Sequence, residues 1–264
     1  MTDPQLHYYD LGDGVVAFST TRHGGCSEGN YASMNVNAFC GDDASHVAAN
    51  REALSHTLSL ASPDRMIIPH QTHGIEIRQV GDELFALPEE VRQMVLDGVD
   101  GVMTRLEGVC VGVSTADCIP VLLYDPEHRA VCAVHAGWRG TVARIVQKAI
   151  AEMRAAFDTR PQALQAVIGP GISKKNFEVG DEVYEAFASA GFDMEAIAER
   201  EEKWHIDLPA CNRLQLEAAG LDPARITLTD ICTYDHTDEW FSARRMGTES
   251  GRIYTGILLQ PEHQ

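Results

Sequence analysis

The chain has 264 residues, 44% hydrophobic and 23% charged, with a net charge of −18. Such a composition excludes a disordered or fibrous protein and suits a single domain over residues 1–264. The acidity excludes a generic grip on nucleic acid, and no apolar run approaches the roughly 20 residues needed to span a bilayer.

The first residues, MTDPQLHYYD, lack the basic and apolar regions of a secretory leader, so a cytoplasmic protein is expected. Seven cysteines, an odd number with four in or beside apolar runs, suit reduced thiols better than a disulfide framework.

Val15 to Ser19 reads as a strand leading into TTRHGGCS, where Arg22 beside two glycines could cradle an anion. The loop SMNVNAFCGDD follows, with Asn35 a candidate substrate contact. Ser45 to Leu58 has helical spacing, capped by Asp43 or Ser45. Met66 to Val80 looks like a strand interrupted by His70-Gln71-Thr72-His73. On an extended backbone, Gln71 and His73 share one face and His70 takes the other, so HxxH should not give one ion two ligands. Pro88 to Leu96 reads as a short helix and DGVDGVMT as a turn-rich approach to the central strands.

Val109 to Val113, Ile119 to Tyr124 and Ala130 to Val134 are short β-branched runs bounded by turn formers, hence buried strands with Cys118 and His135 at their ends. Apolar residues from Val142 to Phe157 recur at helical spacing, so a helix should begin right after His135. Its free amides and Arg139 would make an anion site. Leu164 to Ile168 is a further strand before the sharp turn GPGIS. Asp181 should cap a helix, Leu208 to Ala219 form another ended by Gly220, and Ile226 to Thr233 and Arg252 to Leu259 complete the strands. Strands and helices mix without strict alternation, which indicates α+β or layered α/β architecture with mixed sheets.

Catalytic zinc usually has three protein ligands drawn from His and Cys with one position open, and His73, Cys118 and His135 would make such a set. Nothing in their spacing joins them; a buried cysteine or a satisfied core histidine is the competing reading. The motifs SMNVNAFCGDD, HQTHG, DGVDGVMT, STADCIPVLLYD, AVHAGWRGT, IGPGIS with FEVGDEV, and CTYDHTDEWFSARR, in this order, resemble the peptidoglycan editing factors. These are also called laccase-domain or polyphenol-oxidase-like proteins and purine nucleoside phosphorylases. The resemblance runs from about Val15 to the last strand.

It implies a four-layered α/β sandwich, zinc held by His73, Cys118 and His135, and phosphorolysis of adenosine, inosine and methylthioadenosine with adenosine deamination at the same site. The expected partners are purine nucleosides and phosphate, with a monomer or small homo-oligomer as the assembly. Arg139, Arg22 and Arg244 are candidate phosphate or substrate contacts, and Asp117 either moves protons or bonds its own turn.

The same residues would serve a zinc or thiol amide hydrolase acting on mispaired cell-wall precursors. A copper oxidase is disfavoured because no HxH pair occurs. A non-catalytic module with structural zinc would need a fourth ligand, for which His70, Cys110 and Cys132 are the candidates.

Overall fold

The computed structural model describes residues 3–261. Fourteen strands appear among them: β1 (Leu6–Tyr9), β2 (Val15–Thr20), β3 (Met66–Ile67), β4 (Ile77–Val80), β5 (Gly101–Thr104), β6 (Cys110–Thr115), β7 (Ile119–Asp125), β8 (Ala130–Ala136), β9 (Gln165–Ile168), β10 (Glu178–Val179), β11 (Ala198–Arg200), β12 (Trp204–Ile206), β13 (Ile226–Leu228) and β14 (Ile253–Leu259). Helices are α1 (Ala44–Thr57), α2 (Asp82–Phe85), α3 (Glu89–Val95), α4 (Trp138–Val142), α5 (Ile145–Phe157), α6 (Asp181–Ser189), α7 (Met194–Ile197), α8 (Leu208–Ala218) and α9 (Ala243–Met246).

Two mixed sheets carry the fold, ordered β1-β2-β14-β6-β3 and β13-β9-β7-β8-β5-β4. Alternate residues on each strand point to opposite faces, so each sheet serves two cores. Val111, Val113 and Ile257 of the first sheet meet Leu122, Val131 and Ala133 of the second. The other face of the first sheet, with Phe18, Cys110 and Tyr254, packs against Leu54 of α1. The other face of the second, with Val121, Cys132 and Val134, packs against Ile145, Ala149 and Met153 of α5 and Leu216 of α8. Helix, sheet, sheet and helix are the four layers.

Several elements depart from the expectations. DGVDGVMT contains a strand: β5 is wholly buried and pairs β4 in parallel and β8 antiparallel, so its glycine serves close packing and not a turn. The two halves of the Met66–Val80 run enter different sheets, β3 beside β6 and β4 beside β5. The helix expected right after His135 does start at Trp138, but it is broken where Arg144 adopts a left-handed φ of 63°, its guanidinium donating to the Ala190 carbonyl and lying over the Phe192 ring. Asp43 caps α1 as expected, accepting from the Ser45 and His46 amides. Asp181 caps nothing, since Gly180 holds that place and the Asp181 carboxylate accepts from Trp204 Nε1. The chain of 226–233 is strand only to Leu228, and a small sheet β10-β12-β11 was not anticipated.

β6 approaches the site through a tight crossing. Gly112 faces Gly256 across the ladder, and a Cβ at 112 would lie 2.4 Å from the ring of the fully buried Tyr254, whose hydroxyl donates to the Ile67 carbonyl. That ring has no room to retreat. Gly112→Ala should therefore cost about 1–3 kcal/mol through overpacking, seen as a lower urea midpoint at unchanged m-value.

Candidate metal centre

Cys118 occupies the turn between β6 and β7, and His135 lies in β8, directly opposite Pro120 of β7. His73 comes from the loop joining the two sheets and takes a left-handed φ of 63°. Their donor atoms all lie within 4.8 Å of one another, with the two imidazole rings 4.9 Å apart and nearly perpendicular. Gly137 closes the floor. A Cβ there would stand 3.1 Å from His73 Cδ2 and 3.2 Å from Cys118 Sγ, so the glycine leaves the donors the space they share.

Asp100, immediately before β5, organises this cluster. Its buried carboxylate meets His135 Nδ1 at 2.7 Å and accepts from the amides of His73 at 3.0 Å, Gly74 at 2.7 Å and Thr72 at 3.2 Å. Its own carbonyl accepts from the His135 amide at 2.8 Å. With Nδ1 committed, His135 has Nε2 left for a ligand, the arrangement by which carboxylates orient metal-binding histidines. Sequence reasoning passed over Asp100, whose only signal was an acid between glycine-bearing turns ahead of a strand.

Charge inside the cluster is strongly coupled. Burial opposes ionisation of Cys118, but the charge and hydrogen bond of His135, joined by His73, bring the thiol down to about 6. Burial likewise opposes protonation of His135, and Cys118 with Asp100 raises it to about 9. Asp100 stays below its ordinary value because the His135 contact and the Gly74 and Thr72 amides outweigh its burial. In contrast the buried Cys110 is pushed up to about 12 by desolvation, so Cys118 is set apart as a thiolate.

A thiolate and two imidazoles converging on one point fit a borderline or soft cation such as zinc, and disfavour magnesium or calcium. Asp125, Glu127 and His128 form a second group of possible donors at the other end of β7. There the Asp125 carboxylate already accepts from the Glu127 and His128 amides, and Glu127 pairs with Arg160.

The three donors open onto a cavity of about 290 Å³. Phe39, His70, Gln71, Ser114 and Arg252 stand on its wall. Phe39 is 50% exposed and its ring lies 4.4 Å from that of His70. His70 bonds Asp97 through Nδ1 at 2.6 Å. It thus faces the same cavity as His73, contrary to the alternation argument, because the backbone at His73 is not extended; it remains outside the donor group.

The arginines singled out in the sequence stand elsewhere. Arg22 donates to the Ala32 and Thr237 carbonyls and lies over Phe241. Arg139 is exposed and covers the Trp138 ring. Arg244 donates to the Glu178 carbonyl. None of the three lines the cavity, whereas Arg252 does, fixed by the carbonyls of Thr248, Ser250 and Gly251. Asn35 is fully buried and spends its amide on Asn37 and Asp42. Asp117 accepts from Thr233 Oγ1 and the Arg244 amide, which ties the Cys118 turn to α9 and to the segment before it.

Residues 16–260 match the family model described as multi-copper polyphenol oxidoreductase laccase. The chain belongs to that family. A relative from Bacteroides thetaiotaomicron, named purine nucleoside phosphorylase, is 49% identical over 245 residues, covering 92% of this chain and 90% of its own. Adenosine deaminase RL5, from an unknown prokaryotic organism, is 41% identical over 93% of this chain and 94% of its own. The crystal structure of YlmD from Geobacillus stearothermophilus superposes with a TM-score of 0.87 at 29% identity, covering 96% of this chain and 94% of that one.

Two outcomes test the centre. Asp100→Asn should weaken metal binding about 10–100-fold in competition with a chromophoric chelator, because His135 loses its orienting charge. Acidification should do the same: affinity should begin to fall as the pH drops through about 9, where His135 takes up a proton, and fall more steeply through about 6, where the Cys118 thiolate is protonated too.

Proposed function

We propose that this chain is a zinc-dependent purine nucleoside phosphorylase that also deaminates adenosine, acting on adenosine, inosine and methylthioadenosine. The observation that carries the reading is the Asp100-oriented triad of His73, Cys118 and His135 opening beside an exposed aromatic ring and a fixed arginine. The names of the relatives supply the substrate class.

In phosphorolysis a phosphate oxygen bonds to the ribose C1′ as the C1′–N9 bond breaks, and the purine leaves with the electron pair and takes up a proton. Zinc held by the triad would supply a Lewis acid beside the reacting atoms. The residues of the chain do the rest. Phe39, backed by His70, offers an apolar face on which a purine can stack. Arg252, held on the wall by three carbonyls, is placed to receive the phosphate in a fixed orientation. His70 has its Nδ1 on Asp97 and its ring on the cavity wall, a disposition suited to moving the purine proton. Asp117 holds the Cys118 turn in place, since both carboxylate oxygens are engaged.

One observation favours a second reading. The Cys118 thiol, lowered by His135, is also the pair a thiol amidase uses, so cleavage of cell-wall precursor peptides would follow if the thiolate were free of metal.

Protein purified without chelators should carry zinc and release hypoxanthine from inosine only when phosphate is added, and Cys118→Ala should lose both properties. Retention of stoichiometric zinc and turnover in that variant would sink the assignment. Phe39→Ala should raise the KM for inosine roughly tenfold, the usual worth of a base stacked on an aromatic ring, with less effect on kcat. Precursor cleavage that survives zinc removal while phosphorolysis is absent would favour the amidase.

A further inference from the structure

A second cavity, of about 350 Å³, adjoins the metal pocket. Its apolar wall comes from Ile68 beyond β3, Leu84 and Phe85 of α2 and Leu96 after α3, and Arg51 of α1 also faces it. Phe39 and His70 line both cavities and form the wall between them.

Arg51 is half-buried, and its Nε donates to the Val36 carbonyl at 2.8 Å. Among the described residues its two terminal nitrogens have no hydrogen-bond or ion-pair partner. Of the acids on the same wall, Asp64 lies 3.8 Å from Arg92, and Glu89 accepts from Gln93 while its charge acts on Arg51 without a direct contact. A guanidinium largely withdrawn from water with no carboxylate in hydrogen-bond contact is costly, and a carboxylate, sulfonate or phosphate is the group its planar fork fits. The apolar remainder of the wall asks for a hydrophobic body on the same molecule, and the size falls in the range of small-ligand pockets.

We infer that this cavity binds a small organic anion, its apolar body against Leu84, Phe85 and Leu96 and its acid group on Arg51, and that the occupant restrains Phe39 and His70. Binding stands apart from the phosphorylase reading; only the effect on turnover rests on it.

The probe is 1-anilinonaphthalene-8-sulfonate, titrated by fluorescence into the full-length, metal-loaded protein. Saturable one-site binding is expected, weakened at least about tenfold in Arg51→Met, as for loss of a charged hydrogen bond, and largely kept in Arg51→Lys. Because Arg51 also holds the Val36 carbonyl, a wild-type competition keeps the test independent of folding. Naphthalene-1-sulfonate should displace the dye, and the neutral sulfonamide should need a concentration about tenfold higher. Equal competition by the sulfonamide, wild-type affinity in a folded Arg51→Met, or displacement by inorganic phosphate at the sulfonate's concentration would each overturn the site. If the dye binds as described but leaves the KM for inosine unchanged, the coupling through Phe39 and His70 is wrong. If inosine is not turned over at all, the phosphorylase reading fails while the binding arms still decide this one.

Discussion

The buried carboxylate of Asp100 is the constraint on which the rest of the site depends. It receives three successive amides of the loop carrying His73 and at the same time the ring of His135, so one acid positions ligands from two separate parts of the chain. Such a group is expensive to bury unless every lone pair is used, and here amides and an imidazole use them. The left-handed conformation at His73 follows from this, because the loop must curl to turn three N–H groups onto one carboxylate.

Electrostatics and topology reinforce one another. Antiparallel pairing of β7 and β8 puts the start of one strand beside the end of the other, which brings Cys118 against His135. Once there, the imidazole lowers the thiol and the thiolate raises the imidazole, with Asp100 as the outer partner of the same chain. His73, Cys118 and His135 would hold a metal ion once the imidazole proton is lost, with the thiolate already available. The compact three-donor centre opens on a cavity walled by Phe39, His70 and Arg252.

Cys118 and His135 were legible because β-branched runs with turn formers announce strand ends, and strand ends are where side chains meet. His73 was legible only through family motifs, since its approach depends on a loop whose geometry is set by Asp100. Asp100 was not legible: its partners are contributed by residues distant in sequence, and glycines around it mimic a turn while β5 is in fact a buried strand. Arg22, Arg139 and Arg244 misled because composition near a glycine turn or a helix start says nothing about where a long side chain goes; each found a backbone carbonyl or a ring nearby. Arg252 sat unnoticed at the head of a strand, although its carbonyl ties hold it on the cavity. The layer order was within reach of the alternation pattern only after the sheets were known.

His73 leaves the first sheet with β3 behind it and enters the second with β4 ahead of it, while Cys118 sits where the chain crosses from β6 back to β7. Two of the crossings between the two sheets thus end on one point. An ion bound there closes two long loops at once, as a pair of disulfides would, and withdraws conformational freedom from the unfolded chain in proportion to the logarithm of their lengths. Such an ion would staple the sandwich, and the resistance of the two sheets to separation would then follow metal supply.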